Sequence, residues 1–204
     1  MKIIALEEHF QNAAIEEAVG RLLPAHQRDS AGKFLAESIN STTLAPQLED
    51  LGTERLKHMD AMGIDVQVLS YAQLWLQVLP ASEAVPLARE ANDQLAAAIA
   101  AHPDRFAGFA TLPTADPEAA AVELERAVQK LGFVGAMLMI NGRTQDYFLD
   151  DPRFRPLLEA AVALDVPLYL HPTIPVLATW DIRSENKPLS QTLCLLYLAD
   201  LQAD

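Results

Sequence analysis

Residues 116–140 read DPEAAAVELERAVQKLGFVGAMLMI and residues 151–171 read DPRFRPLLEAAVALDVPLYLH. The two stretches share a grammar. Each opens on Asp-Pro, a favoured helix N-cap followed by proline in the first turn. Apolar residues at helical spacing follow: Val122, Leu124, Ala127, Val128 and Leu131 in the first, Leu157, Leu158, Ala161 and Leu164 in the second. In the first, Gly132 stands where a chain leaves a helix through a left-handed residue. A short apolar run then closes each unit, Val134–Ile140 and Val166–Leu170. Such runs suit parallel strands covered on both faces.

The same unit extends outward. Thr53 is placed to cap a helix whose Leu56, Met59 and Met62 share a face and which Gly63 stops, with a strand over Val66–Ser70. Ser82 is placed to cap a helix over Glu83–Ala101. His102-Pro103-Asp104-Arg105 ends it, and a strand follows over Phe106–Thr111. With Ile3–His9 as the first strand, five strands alternate with helices. That alternation implies right-handed βαβ units and a parallel sheet. No glycine-rich loop follows the first strand, which weakens a nucleotide-binding open sheet. A closed (β/α)₈ barrel takes about 250 residues, whereas this chain has 204. The expectation is an α/β fold of TIM-barrel lineage, truncated after about five βα units. Residues 1–204 form one domain, incomplete at its C-terminus, with residues 11–50 an insertion after strand one.

Composition narrows the function. The chain is 50% apolar and 21% charged, as globular proteins are, so disorder is excluded. Its net charge of −13 disfavours nucleic acid and anionic membrane surfaces as partners. The lone Cys194 rules out an internal disulfide and a multi-cysteine zinc site, and fits a reducing cytoplasm. The first apolar run, Ile3–Leu6, is broken by Glu7 and Glu8 and is too short for a signal peptide.

The residues able to do chemistry cluster at strand ends. Glu7 and His9 are two apart on the first strand, so period two puts both on one face and Glu8 on the other. A carboxylate and an imidazole presented together suit zinc, manganese or iron; the bland alternative is a solvated strand end. His171 ends the fifth strand, where parallel α/β folds carry ligands and catalytic groups, or else it simply starts a loop. Three such donors plus water make a catalytic-metal pattern. Asn141-Gly142-Arg143 reads as a turn, or as a place where Asn141 or Arg143 reaches an anionic substrate. His26, His58 and His102 read as structural or solvated, and Cys194 as packing. No G-x-S-x-G elbow supports a serine hydrolase.

Several segments together carry a resemblance. They are Ile3–Phe10 (IIALEEHF), Met62–Ser70 (MGIDVQVLS), Ala91-Asn92-Asp93 and His102–Phe109 (HPDRFAGF). Gly132–Ala136 (GFVGA), Asp150–Phe154 (DDPRF) and Leu168–Thr173 (LYLHPT) complete the set. In order and spacing the chain resembles the amidohydrolase-related metal-dependent decarboxylases from about residue 3 to 175. The resemblance implies a (β/α)₈ barrel with one divalent ion, zinc or manganese, held by Glu7, His9 and His171. It implies nonoxidative decarboxylation of a hydroxylated aromatic or related unsaturated acid, by Lewis-acid orientation with general acid catalysis. The partner is then a small carboxylic acid.

The family's later histidine, in a G-H-x-G-E-like segment, and its late aspartate have no counterpart here, so the catalytic residues are unassigned. After Trp180 the pattern fades. The loop between Tyr71 and Leu79 also departs from the family's proline-glycine turn. Two other functions stay open: a metal-dependent hydrolase on the same barrel, and an inactive fragment with half a site, oligomeric through its open edges.

Overall fold

The computed structural model describes residues 1–22, 45–71, 76–139 and 149–171. The first strand, β1 (Ile4–Phe10), is followed by helices α1 (Ala13–Leu22), α2 (Ala45–Glu49) and α3 (Thr53–Met62). Next come β2 (Val66–Tyr71), α4 (Ala81–Ala101) and β3 (Phe106–Ala110). The described part ends with α5 (Pro117–Leu131), β4 (Gly135–Met139), α6 (Arg155–Leu164) and β5 (Leu168–His171). All four strand pairings are parallel and the order is β1-β2-β3-β4-β5. This is the expected strand–helix repeat, curled as a half-barrel of the TIM type.

The sheet's two faces divide the apolar residues. On the helix side Leu69, Phe106, Ala110, Ala136 and Leu138 pack with Leu95, Leu124 and Leu157 from the helices. Ile15, Ala18 and Val19 of α1 belong to the same core. On the concave side Val68, Phe109 and Met137 form a small cluster against Ala107 and Tyr169. The Phe109 and Tyr169 rings stack there at 5.7 Å. Both layers follow from period two along each strand.

Helix boundaries differ from expectation in instructive ways. Asp116 caps α5, its carboxylate accepting from Ala119 N–H, and Gly132 closes that helix in the left-handed region at φ +75°. Asp151-Pro152 instead opens a 3₁₀ turn, Pro152–Phe154, and α6 begins only at Arg155. Thr53 is not the cap of α3. Asp50 does that work from outside the helix, accepting from Gly52 N–H at 2.9 Å and Arg55 N–H at 2.7 Å. Nor does Ser82 cap α4, which starts one residue earlier after Pro80 without a side-chain cap. The stripes also over-reach: Met62, Val122 and Leu158 are exposed. At the β4–β5 contact Gly135 is obligatory, because a Cβ there would strike the Pro167 carbonyl oxygen and its φ is +155°. Among the described residues no helix is long and apolar enough to cross a membrane.

Candidate metal and substrate centre

β1 is irregular where its chemistry lies. Ala5 pairs with Gln67 and Glu8 with Leu69, so three steps on β1 match two on β2. That is a β-bulge, a device that re-aims side chains near functional sites. Glu7 absorbs it at φ +60°, a left-handed conformation that is uncommon for any residue with a Cβ. Beyond the bulge, His9 pairs with Ser70 and Phe10 with Tyr71.

The bulged strand sends its side chains to opposite faces. Glu7 reaches β5, where the Tyr169 hydroxyl donates to its Oε1 at 2.5 Å. The same oxygen lies 3.9 Å from His171 Nε2. The rings of His9 and His171 meet edge to face, centroids 5.5 Å apart. Glu8 turns the other way and accepts from Gln67 Nε2 at 2.9 Å. Glu7, His9 and His171 therefore approach one another on the concave side, at the carboxyl ends of the two outermost described strands.

His9 is tuned as well as placed. Burial is the main cause that holds its imidazole below the ordinary value, and the nearby His171 adds to it, while Glu7 pulls the other way. A neutral imidazole is the form that can ligate a metal. His9 Nδ1 lies 3.1 Å from Ser70 Oγ. The tautomer with its proton on Nδ1 uses that proton on Ser70 and leaves the Nε2 lone pair for a ligand, the usual arrangement behind a metal-binding histidine.

The donor set, one carboxylate and two imidazoles, has the chemistry of a zinc or manganese site. Among the described residues, however, no three His, Cys, Asp or Glu side chains are already arranged to enclose an ion. Glu7 is instead engaged by Tyr169. Asn141, Arg143 and Cys194 lie outside the described residues. His58 is exposed on α3, and His102 packs edge-on against Phe106.

Sequence reasoning missed two participants. Tyr169 had a signal, since it precedes His171 by two on the same strand face. Ser70 had a weaker one, as the residue near the end of β2.

Five parallel strands in sequential order, curled with their helices outside, define the class of (β/α) barrels. The amidohydrolase family model matches residues 44–201, and the chain belongs to that family. It is 41% identical over 181 residues to γ-resorcylate decarboxylase of Rhodococcus jostii (strain RHA1), covering 85% of this chain and 51% of that protein. The chain thus spans about half the length of the curated relatives it matches.

Among solved structures, it resembles 5-carboxyvanillate decarboxylase of Novosphingobium aromaticivorans DSM 12444 (D314N mutant), crystallised with manganese and 3-methoxy-4-hydroxy-5-nitrobenzoic acid. The TM-score is 0.78 at 36% identity, covering 84% of this chain and 51% of that one. It also resembles the dihydroxybenzoic acid decarboxylase of Polaromonas sp. JS666, bound to manganese and the inhibitor 2-nitroresorcinol. There the TM-score is 0.69 at 36% identity, covering 90% and 52%.

Proposed function

We propose that this chain carries the ion- and acid-binding part of a metal-dependent, nonoxidative decarboxylase of hydroxylated aromatic acids. The observation that carries the reading is the approach of Glu7, His9 and His171 at the strand ends of a chain 41% identical to γ-resorcylate decarboxylase. A divalent ion, manganese or zinc, would be held by these three side chains and would supply Lewis-acid orientation of a substrate carboxylate and its neighbouring oxygen.

The chain's own residues prepare that site. Burial holds the His9 imidazole below its ordinary value, which favours its neutral form, and Ser70 lies within hydrogen-bond reach of its Nδ1. Tyr169 holds the Glu7 carboxylate in place. The half-buried Tyr169 ring, backed by the buried Phe109 on which it stacks, gives the concave face an aromatic surface beside Glu7 suited to a planar substrate. Asn141 and Arg143, which follow β4 in sequence, are proposed to meet the substrate's anionic oxygens. In the reaction the bond between ring carbon and carboxylate breaks, carbon dioxide leaves, and a proton takes its place on the ring carbon.

The test is binding of 2,6-dihydroxybenzoate to the purified chain, followed by absorbance with and without Mn²⁺. Saturable binding that requires Mn²⁺ and disappears in His171→Ala is the expected outcome. Equal binding with and without the ion, or none in either case, contradicts the reading.

A further inference from the structure

We propose that Arg55 is a positioning residue for this site: from the helix side of the sheet it grips the His9 main chain and, through Gln67 and Glu8, locks the bulge that turns Glu7 and His9 to the concave face. The proposal rests on the reading of those residues as ion ligands.

Arg55 is 9% exposed, in the first turns of α3. Its guanidinium donates to four acceptors, one each in β1, α2, the α2–α3 connection and β2. Nη2 donates to His9 O at 2.9 Å and to Gln47 O at 3.2 Å. Nε donates to Asp50 O at 2.7 Å, and Nη1 to Gln67 Oε1 at 3.3 Å. Gln67 passes the contact on, its Nε2 donating to Glu8 Oε2. Two successive residues of β1 are therefore held from behind, one by its carbonyl and one by its side chain.

These are the residues whose orientation decides the site. A bulge leaves an extra residue without a ladder partner, so the ladder alone does not fix the direction of Glu7. Glu7 must also be kept in a costly backbone conformation, which persists only where its surroundings over-determine it. Glu8 lies between Glu7 and His9. Anchoring Glu8 outward and the His9 carbonyl to Arg55 leaves the two flanking side chains only the concave face. A planar fork of donors can serve these acceptors together; the single ammonium of lysine cannot.

The test compares wild type with Arg55→Lys, Glu8→Gln and Glu8→Leu. It reads Mn²⁺ affinity by titration, and amide hydrogen exchange, which needs no metal. Arg55→Lys is expected to weaken Mn²⁺ binding about 10–100-fold, the usual cost of losing an outer partner of a metal site. It is also expected to speed exchange at residues 8–10 selectively, leaving β3 unchanged. Glu8→Gln keeps an acceptor for Gln67 and is expected to behave as wild type, whereas Glu8→Leu shifts in the direction of Arg55→Lys.

Wild-type affinity in Arg55→Lys, or exchange accelerated evenly across the sheet, overturns the proposal and leaves Arg55 a purely structural residue. If Arg55→Lys does not fold, Glu8→Leu against Glu8→Gln decides by the same two readings. If wild type itself takes up no Mn²⁺, the ion-site reading fails. The positioning of residues 8–10 by Arg55 then stands or falls on the exchange pattern alone.

Discussion

Glu16 and Tyr71 show how one residue pair couples the segment after β1 to the sheet. Tyr71, buried at the end of β2, donates its hydroxyl to Glu16 Oε1 at 2.9 Å. Burial pushes the Glu16 carboxyl above its ordinary value, only partly offset by this bond. Burial and the Glu16 charge together push the Tyr71 phenol well above its own. Both folded-state values lie above the unfolded ones. Stability from Glu16 is therefore full below the ordinary glutamate range and is lost as pH rises through its folded value; for Tyr71 the loss comes above the ordinary tyrosine range. Glu16→Gln keeps the acceptor and removes the buried charge. It is expected to melt at or above the wild type at pH 7, with the advantage gone at pH 4. A lower melting temperature than wild type at pH 7 contradicts this account.

Between elements, the residue just past β3, Thr111, is held by α4, and α4 in turn by α5. Asn92 of α4 donates to Thr111 O at 2.9 Å and accepts from Thr111 N–H at 2.8 Å. The same amide nitrogen donates to Glu123 of α5, whose carboxylate is forked by Arg126, and Arg126 in turn reaches Asp93. Asn92→Ala would strand a buried main-chain donor and acceptor, at about 1–3 kcal/mol for each buried group left unpaired. Urea unfolding is expected to show a loss of that order. A midpoint within error of wild type would contradict it.

The elements themselves were legible where physics is local. The Asp116-Pro117 start, the Gly132 stop and the five apolar runs each specify one outcome. The facing of Glu7 and His9 against Glu8 was also expected from period two, although the strand achieves it through a bulge that alternation does not announce. Thr53 and Ser82 failed as caps because the start of each helix is set elsewhere, by Asp50 accepting from the Gly52 and Arg55 amides and by Pro80. Val122 and Leu158 failed as core because a helical stripe is wider than the surface it has to cover. In the site, Tyr169 shares a strand face with His171, but its partner Glu7, like the His9 carbonyl that Arg55 meets, lies far off in sequence.

Across the whole molecule, β1 and β5 are the outermost described strands, and among the described residues each pairs with one neighbour only. β1 leaves Ile4 55% and Leu6 50% exposed, and Ile3 beside it 43%. Parallel strands are ordinarily covered on both faces, and long apolar edges invite association. The 204-residue polypeptide is therefore expected to self-associate. Light scattering across a concentration series should give a mass above that of one chain, falling when Leu6→Lys places a charge on the edge. A monodisperse monomer at all concentrations would contradict this.

Glu7, His9 and His171 are proposed to hold one divalent ion. The most direct measurement is an Mn²⁺ titration of the purified chain, with free ion counted by electron paramagnetic resonance, repeated on Glu7→Ala, His9→Ala and His171→Ala. One saturable site in the wild type, weakened at least tenfold in each of the three variants and unchanged in the exposed-surface control His58→Ala, is the result the account requires. No saturable site, or a site that survives all three substitutions, would contradict it.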